Sequence, residues 1–190
     1  MNNLLINFLQ KHKTIPGAEA RLILGEFKQK QFKEGDTLFN GDSVCRELFF
    51  VCDGVLRIIK PMEDGRQFTY FFVSEGRFCS ILNSFNNQVP ATEMIQAATN
   101  AEVLAISYHK LMELYGQIPY LQELITQITH QGLLDKISTR NAYVGLDATE
   151  QYKLFLNQQP DVAMRVSVSD MASYLGITPQ SLSRIRKNLH

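Results

Sequence analysis

A chain of 190 residues with 45% apolar side chains can bury a hydrophobic core, as one large domain or two small ones. Its 19 basic residues equal its 19 acidic residues, so overall charge does not indicate a nucleic-acid partner, and any surface for one must be local. The three cysteines form no CxxC pair, which argues against a disulfide framework and a structural zinc site and favours a reducing cytosol.

The first segment, residues 4–27, predicts one or two short helices. Apolar residues recur at helical spacing on both sides of the turn-forming sequence Ile15-Pro16-Gly17. The chain begins without the basic stretch and apolar core of a signal peptide, and no run reaches the roughly 18 apolar residues that span a bilayer. We therefore expect a cytoplasmic protein with no membrane partner.

The stretch from about 30 to 107 has the pattern of a β-rich domain. Short runs of β-forming residues, such as Glu47–Cys52 and Gln67–Val73, alternate with glycine-containing turns at intervals of roughly 8 to 12 residues. The pairs Asp53-Gly54 and Asp64-Gly65 predict hairpins, because such turns need positive φ angles. The spacing favours a sandwich or a barrel.

A long helix is predicted over residues 118–142, since Pro119 suits the first turn of a helix. Apolar residues follow at the spacing of a coiled-coil seam, and a glycine at the next position would let two backbones approach closely. The residues of this stripe are Leu121, Ile125, Ile128 and Gly132. Two interpretations remain open: the stripe is a homodimer interface, or it packs on the β-domain of its own chain.

Two short helices are predicted near 168–175 and 179–188. Ser167, followed three residues later by Asp170, resembles a capping box with Asp in place of Glu, and Thr178-Pro179 is an N-cap followed by proline. Gly176 can end the first helix in the left-handed conformation.

The apolar positions of these two helices fit a helix-turn-helix. Small Ala172 would let the second helix pass close to the first. The predicted core between the helices consists of Met171, Leu175, Ile177, Leu182 and Ile185. A solvated helical hairpin that caps another domain is the alternative interpretation.

The exposed face of the second helix would carry side chains suited to DNA. Arginine can bond guanine through two hydrogen bonds, glutamine can do the same with adenine, and hydroxyls and lysine suit phosphates. No acidic side chain follows Asp170 in the sequence, whereas Arg184, Arg186 and Lys187 cluster. The candidate DNA-contacting residues are Thr178, Pro179, Gln180, Ser181, Ser183, Arg184 and Lys187.

The segments Phe32–Asp42 and Glu47–Arg57 are similar to the first half of the cyclic-nucleotide-binding β-roll of the CRP/FNR superfamily, and Ala97–Val103 resembles its closing strands. The C-terminal segment resembles that of compact members, so the resemblance covers nearly the whole chain. Carried over by position, Pro179, Gln180 and Arg184 fall where the family presents base-contacting side chains.

The resemblance implies an α+β fold with three parts: a β-roll sensor domain of jelly-roll type over 1–117, a dimerisation helix over 118–144, and a helix-turn-helix domain over 145–190. It implies a homodimer on double-stranded DNA, with no catalytic residues and no cofactor. A small-molecule effector of unknown identity would bind the β-roll.

One departure from the family concerns the nucleotide. Nucleotide-binding members hold the ribose with a Gly-Glu pair and the cyclic phosphate with Arg-Ser or Arg-Thr; here Ser80-Ile81 and Ala91-Thr92 stand opposite them. Without the guanidinium a bidentate, charge-assisted contact is lost, so cAMP binding in the usual way is not expected. The pocket could accept another molecule, be lined by apolar groups or be closed. The candidate pocket residues are Arg77, Phe78, Ser80, Ile81, Leu82, Asn83, Ala91 and Thr92.

The sequence gives little support for a metal cluster or a catalytic site. Cys45, Cys52 and Cys79 are too scattered for an iron–sulfur cluster and are interpreted as buried apolar residues. The pair Glu63-Asp64 is interpreted as a hairpin tip. Two further function classes stay open: a small-molecule-binding or protein-interaction module that does not bind DNA, and a metal enzyme of the β-roll, for which a His/Glu ligand set is missing.

Overall fold

The computed structural model describes residues 3–62 and 65–189; the predicted hairpin tip, Glu63-Asp64, lies outside them. The helices are α1 (Asn3–Gln10), α2 (Gly17–Glu26), α3 (Leu82–Asn87), α4 (Tyr108–Gln117), α5 (Pro119–Asn141), α6 (Ala148–Gln158), α7 (Pro160–Arg165), α8 (Val168–Leu175) and α9 (Pro179–Leu189). The strands are β1 (Lys28–Phe32), β2 (Thr37–Phe39), β3 (Ser43–Val44), β4 (Glu47–Asp53), β5 (Leu56–Pro61), β6 (Gln67–Val73), β7 (Phe78–Cys79), β8 (Pro90–Ala91), β9 (Met94–Ala97) and β10 (Ala101–Ser107). The predicted α+β fold is confirmed.

The strands form two four-stranded antiparallel sheets that enclose one apolar core. The first sheet has the order β1-β10-β4-β7 and the second β2-β9-β5-β6, with a two-stranded β3-β8 pair beside them. Successive side chains point to opposite faces of a strand, so Phe49 and Val51 of β4 face the second sheet, where Leu56 and Ile58 of β5 meet them.

The turn at Asp53-Gly54 differs from the prediction. It does not close a hairpin, because β4 belongs to the first sheet and β5 to the second. Gly54 adopts a φ of +85°, and a Cβ there would collide with the backbone of Asn100 and Ala101. The chain therefore uses this glycine to cross between the sheets at a point where another loop passes close by. The other predicted hairpin joins β5 to β6, which pair directly.

The outer face of the first sheet is covered by helices, and this corrects one prediction. Leu121 and Ile125 of α5 are 1% and 4% exposed, and they pack into a core with Phe50 of β4 and with α1 and α4. They are therefore not available as a dimer interface, and the alternative that they pack on their own domain holds. Ile128 is partly buried against the same core.

The outer face of the second sheet carries the C-terminal helices. Val55, Phe72 and Ala98 of the β-domain share a third apolar core with residues of α6, α7, α8 and α9. Tyr174 of α8 is 2% exposed, and its ring centroid lies 5.4 Å from that of Phe72. The C-terminal domain is thus packed directly on the β-domain.

The cysteines are buried, as predicted. Cys45, Cys52 and Cys79 all carry free thiols, and burial raises the pKa of the Cys79 thiol to about 12. Within residues 3–62 and 65–189, no group of three or more His, Cys, Asp or Glu side chains is placed to hold a metal ion. In the same ranges, no helix has the length and apolar character needed to cross a bilayer.

Candidate nucleic-acid interface and effector site

The two C-terminal helices have helix-turn-helix geometry. Gly176 ends α8 with a φ of +70°, and its amide donates to the carbonyls of Ala172 and Ser173. Ala172 and Leu182 are both completely buried, so they fix the packing of α9 against α8. The predicted left-handed turn and core are confirmed.

The predicted DNA-contacting face of α9 is open to solvent. Thr178 accepts a hydrogen bond from the amide of Ser181 at 3.1 Å, and the two hydroxyls lie 3.0 Å apart, so the predicted N-cap is formed. Ser181 is half-buried. The remaining candidates are exposed: Thr178, Pro179, Gln180, Ser183, Arg184 and Lys187. The helix presents an amide, a guanidinium and an ammonium group to solvent.

Asp170 has a different role from the predicted one. The Ser167 hydroxyl caps α8 by accepting from the Asp170 amide at 3.0 Å, but the Asp170 carboxylate forms an ion pair with Arg57 of β5 instead of returning to the cap. Both side chains are only 12–13% exposed. Arg57 also donates to Gln96 at 2.9 and 2.5 Å and to Thr69 at 3.3 Å. This network joins the second sheet to the helix-turn-helix.

A second polar contact lies beside the first. The Thr69 amide donates to the Ser173 hydroxyl at 2.9 Å, and Ser173 donates to the Gln67 carbonyl at 2.8 Å. Arg140, near the end of α5, donates to the Tyr174 carbonyl at 2.7 Å, and its guanidinium lies 4.8 Å from the centre of the Phe68 ring. These contacts therefore connect α8 both to strand β6 and to helix α5.

A third contact joins α7 to the turn before β7. Arg165 forms an ion pair with Glu75, whose carboxylate also accepts from the Gly54 amide at 2.8 Å. The hydrogen bond from Arg165 lowers the pKa of Glu75, against the opposing effect of burial. The Arg165–Glu75 and Arg57–Asp170 ion pairs and the Thr69–Ser173 hydrogen bond join residues 90 or more positions apart, and sequence periodicity gives no signal for them.

The structure separates the predicted effector residues: two belong to the apolar interior of the β-roll, four line a cavity outside it, and two do neither. Ile81 and Ala91 belong to the apolar interior of the β-roll, where Ile81 is 8% exposed and packs with Phe49 and Cys79. Ser80 is buried, and its hydroxyl donates to the Glu47 carbonyl at 2.9 Å. Two of the four residues that stand opposite the ribose- and phosphate-binding pairs of the family, Ile81 and Ala91, are therefore part of this apolar packing.

The cavity, of about 670 Å³, lies on the outer face of the first sheet, between α1, β7 and α5. From the predicted pocket its lining includes Arg77, Phe78, Ser80 and Leu82, and from the predicted stripe Ile128 and Gly132. Asn83 and Thr92 are not among the residues that line it; both are exposed.

Sequence analysis missed Lys136 and the residues that α1 and the turn after it contribute to this cavity, Leu4, Asn7, Phe8, Lys11 and His12. Lys136 follows Gly132 by four residues, so the same periodicity that defined the stripe continues to it. That continuation was the available signal. For α1 there was none, because nothing in its pattern shows which surface it covers.

The chain is similar to known regulators along most of its length. Residues 29–117 match the model of the cyclic nucleotide-binding domain family. The cAMP-activated global transcriptional regulator Vfr of Pseudomonas aeruginosa is 24% identical over 184 residues, covering 88% of this chain and 84% of Vfr. The nitrogen fixation regulation protein FixK of Bradyrhizobium diazoefficiens is 24% identical over 179 residues, covering 90% of this chain and 75% of FixK.

Solved structures share the fold. The c-di-GMP responsive global regulator CLP of Xanthomonas campestris superposes with a TM-score of 0.71 at 20% identity, covering 92% of this chain and 91% of CLP. FixK2 of Bradyrhizobium japonicum gives a TM-score of 0.70 at 18% identity, covering 86% and 84% of the two chains. The arrangement of a β-rich domain, a long helix and C-terminal helices is therefore common to all three.

Proposed function

Because the chain is a member of the CRP/FNR superfamily of transcription regulators, we propose that it is a sequence-specific DNA-binding regulator that acts as a homodimer. The observation that carries the proposal is the solvent-exposed face of α9, which is cationic and is held in place by a buried core. In this role α9 enters the major groove, with Gln180 and Arg184 on base edges and Lys187 on a phosphate. A regulator of bacterial DNA works in the cytoplasm.

The division into a sensor domain over 1–117, a dimerisation helix over 118–144 and a DNA-binding domain over 145–190 is part of this proposal. Tyr143 supports a boundary close to Gly145, since its side chain already packs with Tyr174 of the C-terminal domain. Gly145 has a φ of +83° and a Cβ there would meet no neighbour, so the chain turns at this point without a packing constraint.

The dimer seam is proposed in the second half of α5, beyond the part that packs on its own domain. Leu134 and Ile137 lie three residues apart, and their side chains are 44% and 43% exposed, so they form an apolar strip on the solvent side of the helix. A parallel pair of α5 helices would bury the strip and set two α9 helices on one duplex.

Replacing Leu134 and Ile137 together with glutamate should convert the dimer to a monomer, because four carboxylates would meet along a desolvated seam. Size-exclusion chromatography with light scattering measures the mass. Leu22→Glu is the matched control, since Leu22 is 48% exposed on α2 and is not part of the second half of α5, where the seam is proposed, and it should leave the dimer intact. A double variant that remains dimeric would place the interface elsewhere.

Binding of cAMP in the usual way is not part of the proposed function. Ala91 offers a methyl group where a guanidinium would be needed, and Ile81 is buried in the apolar cluster against which Ala91 packs. A cyclic phosphate there would lose its hydration without gaining a charged partner, which is strongly unfavourable. We propose that the effector is a different small molecule, and that it acts by binding one conformation of the dimer better than another.

The proposal is tested by selecting duplexes from a random library with the full-length protein. Two α9 helices related by a two-fold axis should enrich a palindrome with half-sites about one helical turn apart. A protein that enriches no sequence would instead support the rival function, a small-molecule-binding or protein-interaction module that does not bind DNA.

A further inference from the structure

We propose that the cavity between α1, β7 and α5 binds an organic anion with an apolar body, whose charged group is held by Arg77 and Lys136. This inference rests on the proposed function, because it names the chemical class of the effector. The site lies on the outer face of the first sheet, on the opposite side of β4 from the packed interior of the β-roll.

Two of the cations that line the cavity, Arg77 and Lys136, have no counter-ion in the described parts of the chain. Arg77 comes from the turn before β7 and Lys136 from α5. Burial lowers the pKa of Lys136, and the charge of Arg77 lowers it further. The Lys136 ammonium lies 5.6 Å from the centre of the Phe71 ring. An anion between the two groups would relieve their repulsion.

The acidic side chains of the cavity are already engaged. Glu75 is paired with Arg165 and accepts from the Gly54 amide, and Asp135 accepts from the Gln131 side-chain amide at 2.8 Å. Neither carboxylate forms an ion pair with Arg77 or Lys136 in the described parts of the chain. Both cations are therefore available to a ligand.

The wall next to the cations is aromatic. Phe8 of α1, Phe50 of β4 and Phe78 of β7 form a triangle with ring centroids 5.3 to 6.0 Å apart, and Ile128 of α5 faces the same space. The volume of about 670 Å³ lies within the range of small-molecule sites. An apolar wall beside paired cations fits a molecule with a ring system or alkyl chain and a carboxylate, sulfonate or phosphate group.

The site is placed to influence the DNA-binding domain. Arg77 and Lys136 also line a second hollow, whose other wall includes Gln159 and Asp161 of the C-terminal domain. Glu75, two residues before Arg77, forms the ion pair with Arg165 of α7. A ligand that reorients Arg77 would therefore act on a segment that holds the two domains together.

The test uses two fluorescent probes that share one apolar body. 1-Anilinonaphthalene-8-sulfonate carries an anionic group, and N-phenyl-1-naphthylamine lacks it. We expect the full-length protein to bind the sulfonate with one site per protomer. Arg77→Gln and Lys136→Met should each weaken its affinity about tenfold, the effect of removing one charged partner. The neutral probe should bind all three proteins equally, which also shows that the variants are folded.

Arg21→Gln is the matched control, because Arg21 is exposed on α2 and does not line the cavity. The proposal is overturned if the wild-type protein does not bind the sulfonate, or if Arg21→Gln weakens binding as much as the cavity variants do. DNA selection by the same proteins separates the two hypotheses. If the probes bind in a charge-dependent way but no duplex is enriched, only the DNA-binding function is refuted. If a duplex is enriched but probe binding does not depend on charge, only the anion site is refuted.

Discussion

Replacing Asp170 with alanine is expected to lower the free energy of unfolding by about 2 to 3 kcal/mol, because it leaves the guanidinium of Arg57 largely buried without its counter-ion. Arg57 would keep its hydrogen bonds to Gln96 and Thr69, which is why the expected loss is below that for a fully buried pair. Without the ion pair, the contact between the second sheet and α8 should be weaker. Urea unfolding followed by circular dichroism measures the change in the free energy of unfolding.

A double-mutant cycle identifies the cause. Arg57→Met with Asp170→Ala removes both charges, so it should recover a large part of the stability lost in Asp170→Ala. Ser169→Ala, at an exposed position in the same turn of α8, should change stability by less than about 0.5 kcal/mol. If Asp170→Ala is as stable as Ser169→Ala, the ion pair does not hold the domains together.

Replacing Arg184 with alanine is expected to weaken binding to the selected duplex by about 30-fold or more, since a bidentate contact to guanine contributes about 1 to 3 kcal/mol and the dimer loses one such contact from each protomer. The loss should be greatest for duplexes with the preferred base at that position. Lys187→Ala, which removes a phosphate contact, should weaken binding to all duplexes similarly. Fluorescence anisotropy with the selected duplex and with single-base variants of it measures both effects.

Lys153→Ala controls for the change in net charge, because Lys153 is exposed on α6. It should leave affinity for the selected duplex close to that of the wild-type protein. Equal losses in Arg184→Ala and Lys153→Ala would mean that the general charge of the protein, and not the face of α9, determines binding.

The helix-turn-helix could be predicted from the sequence because its signals are local. Ser167 and Thr178 mark the start of each helix, Gly176 marks the turn, and all three act on backbone atoms within a few residues of themselves. The solvent side of α9 could be predicted for the same reason, since the spacing of Leu182 and Ile185 fixes which face is buried.

What covers an apolar stripe could not be predicted. The spacing of Leu121 and Ile125 shows that one face of α5 is buried, but it is the same whether a second chain or the β-domain covers that face. Which of the predicted effector residues lie together could not be predicted for a related reason. Arg77 and Ile81 are four residues apart in sequence but belong to opposite sides of one sheet, because β7 and the bend after it redirect the chain.

Asp170 was assigned to a helix cap because its nearest neighbours in sequence allowed that role. Its actual partner, Arg57, is 113 positions away, and only the packing of α8 on the second sheet brings them together. Among the residues that the structure describes, contacts of this kind join the β-strands to the C-terminal helices, and each combines residues that show no pattern on their own. This interface is therefore a property of the folded chain that local sequence signals do not contain.

The central claim, that the exposed face of α9 binds DNA, is tested most directly by titrating salt against the affinity of the wild-type protein for its selected duplex. A dimer that neutralises four or more phosphates should lose affinity by about 100-fold or more between about 50 and about 200 mM salt. The slope of the logarithm of affinity against the logarithm of salt concentration reports the number of phosphates contacted. In the Lys187→Ala dimer this slope should correspond to about two fewer phosphates, one from each protomer. Weak binding that does not change with salt would contradict the claim.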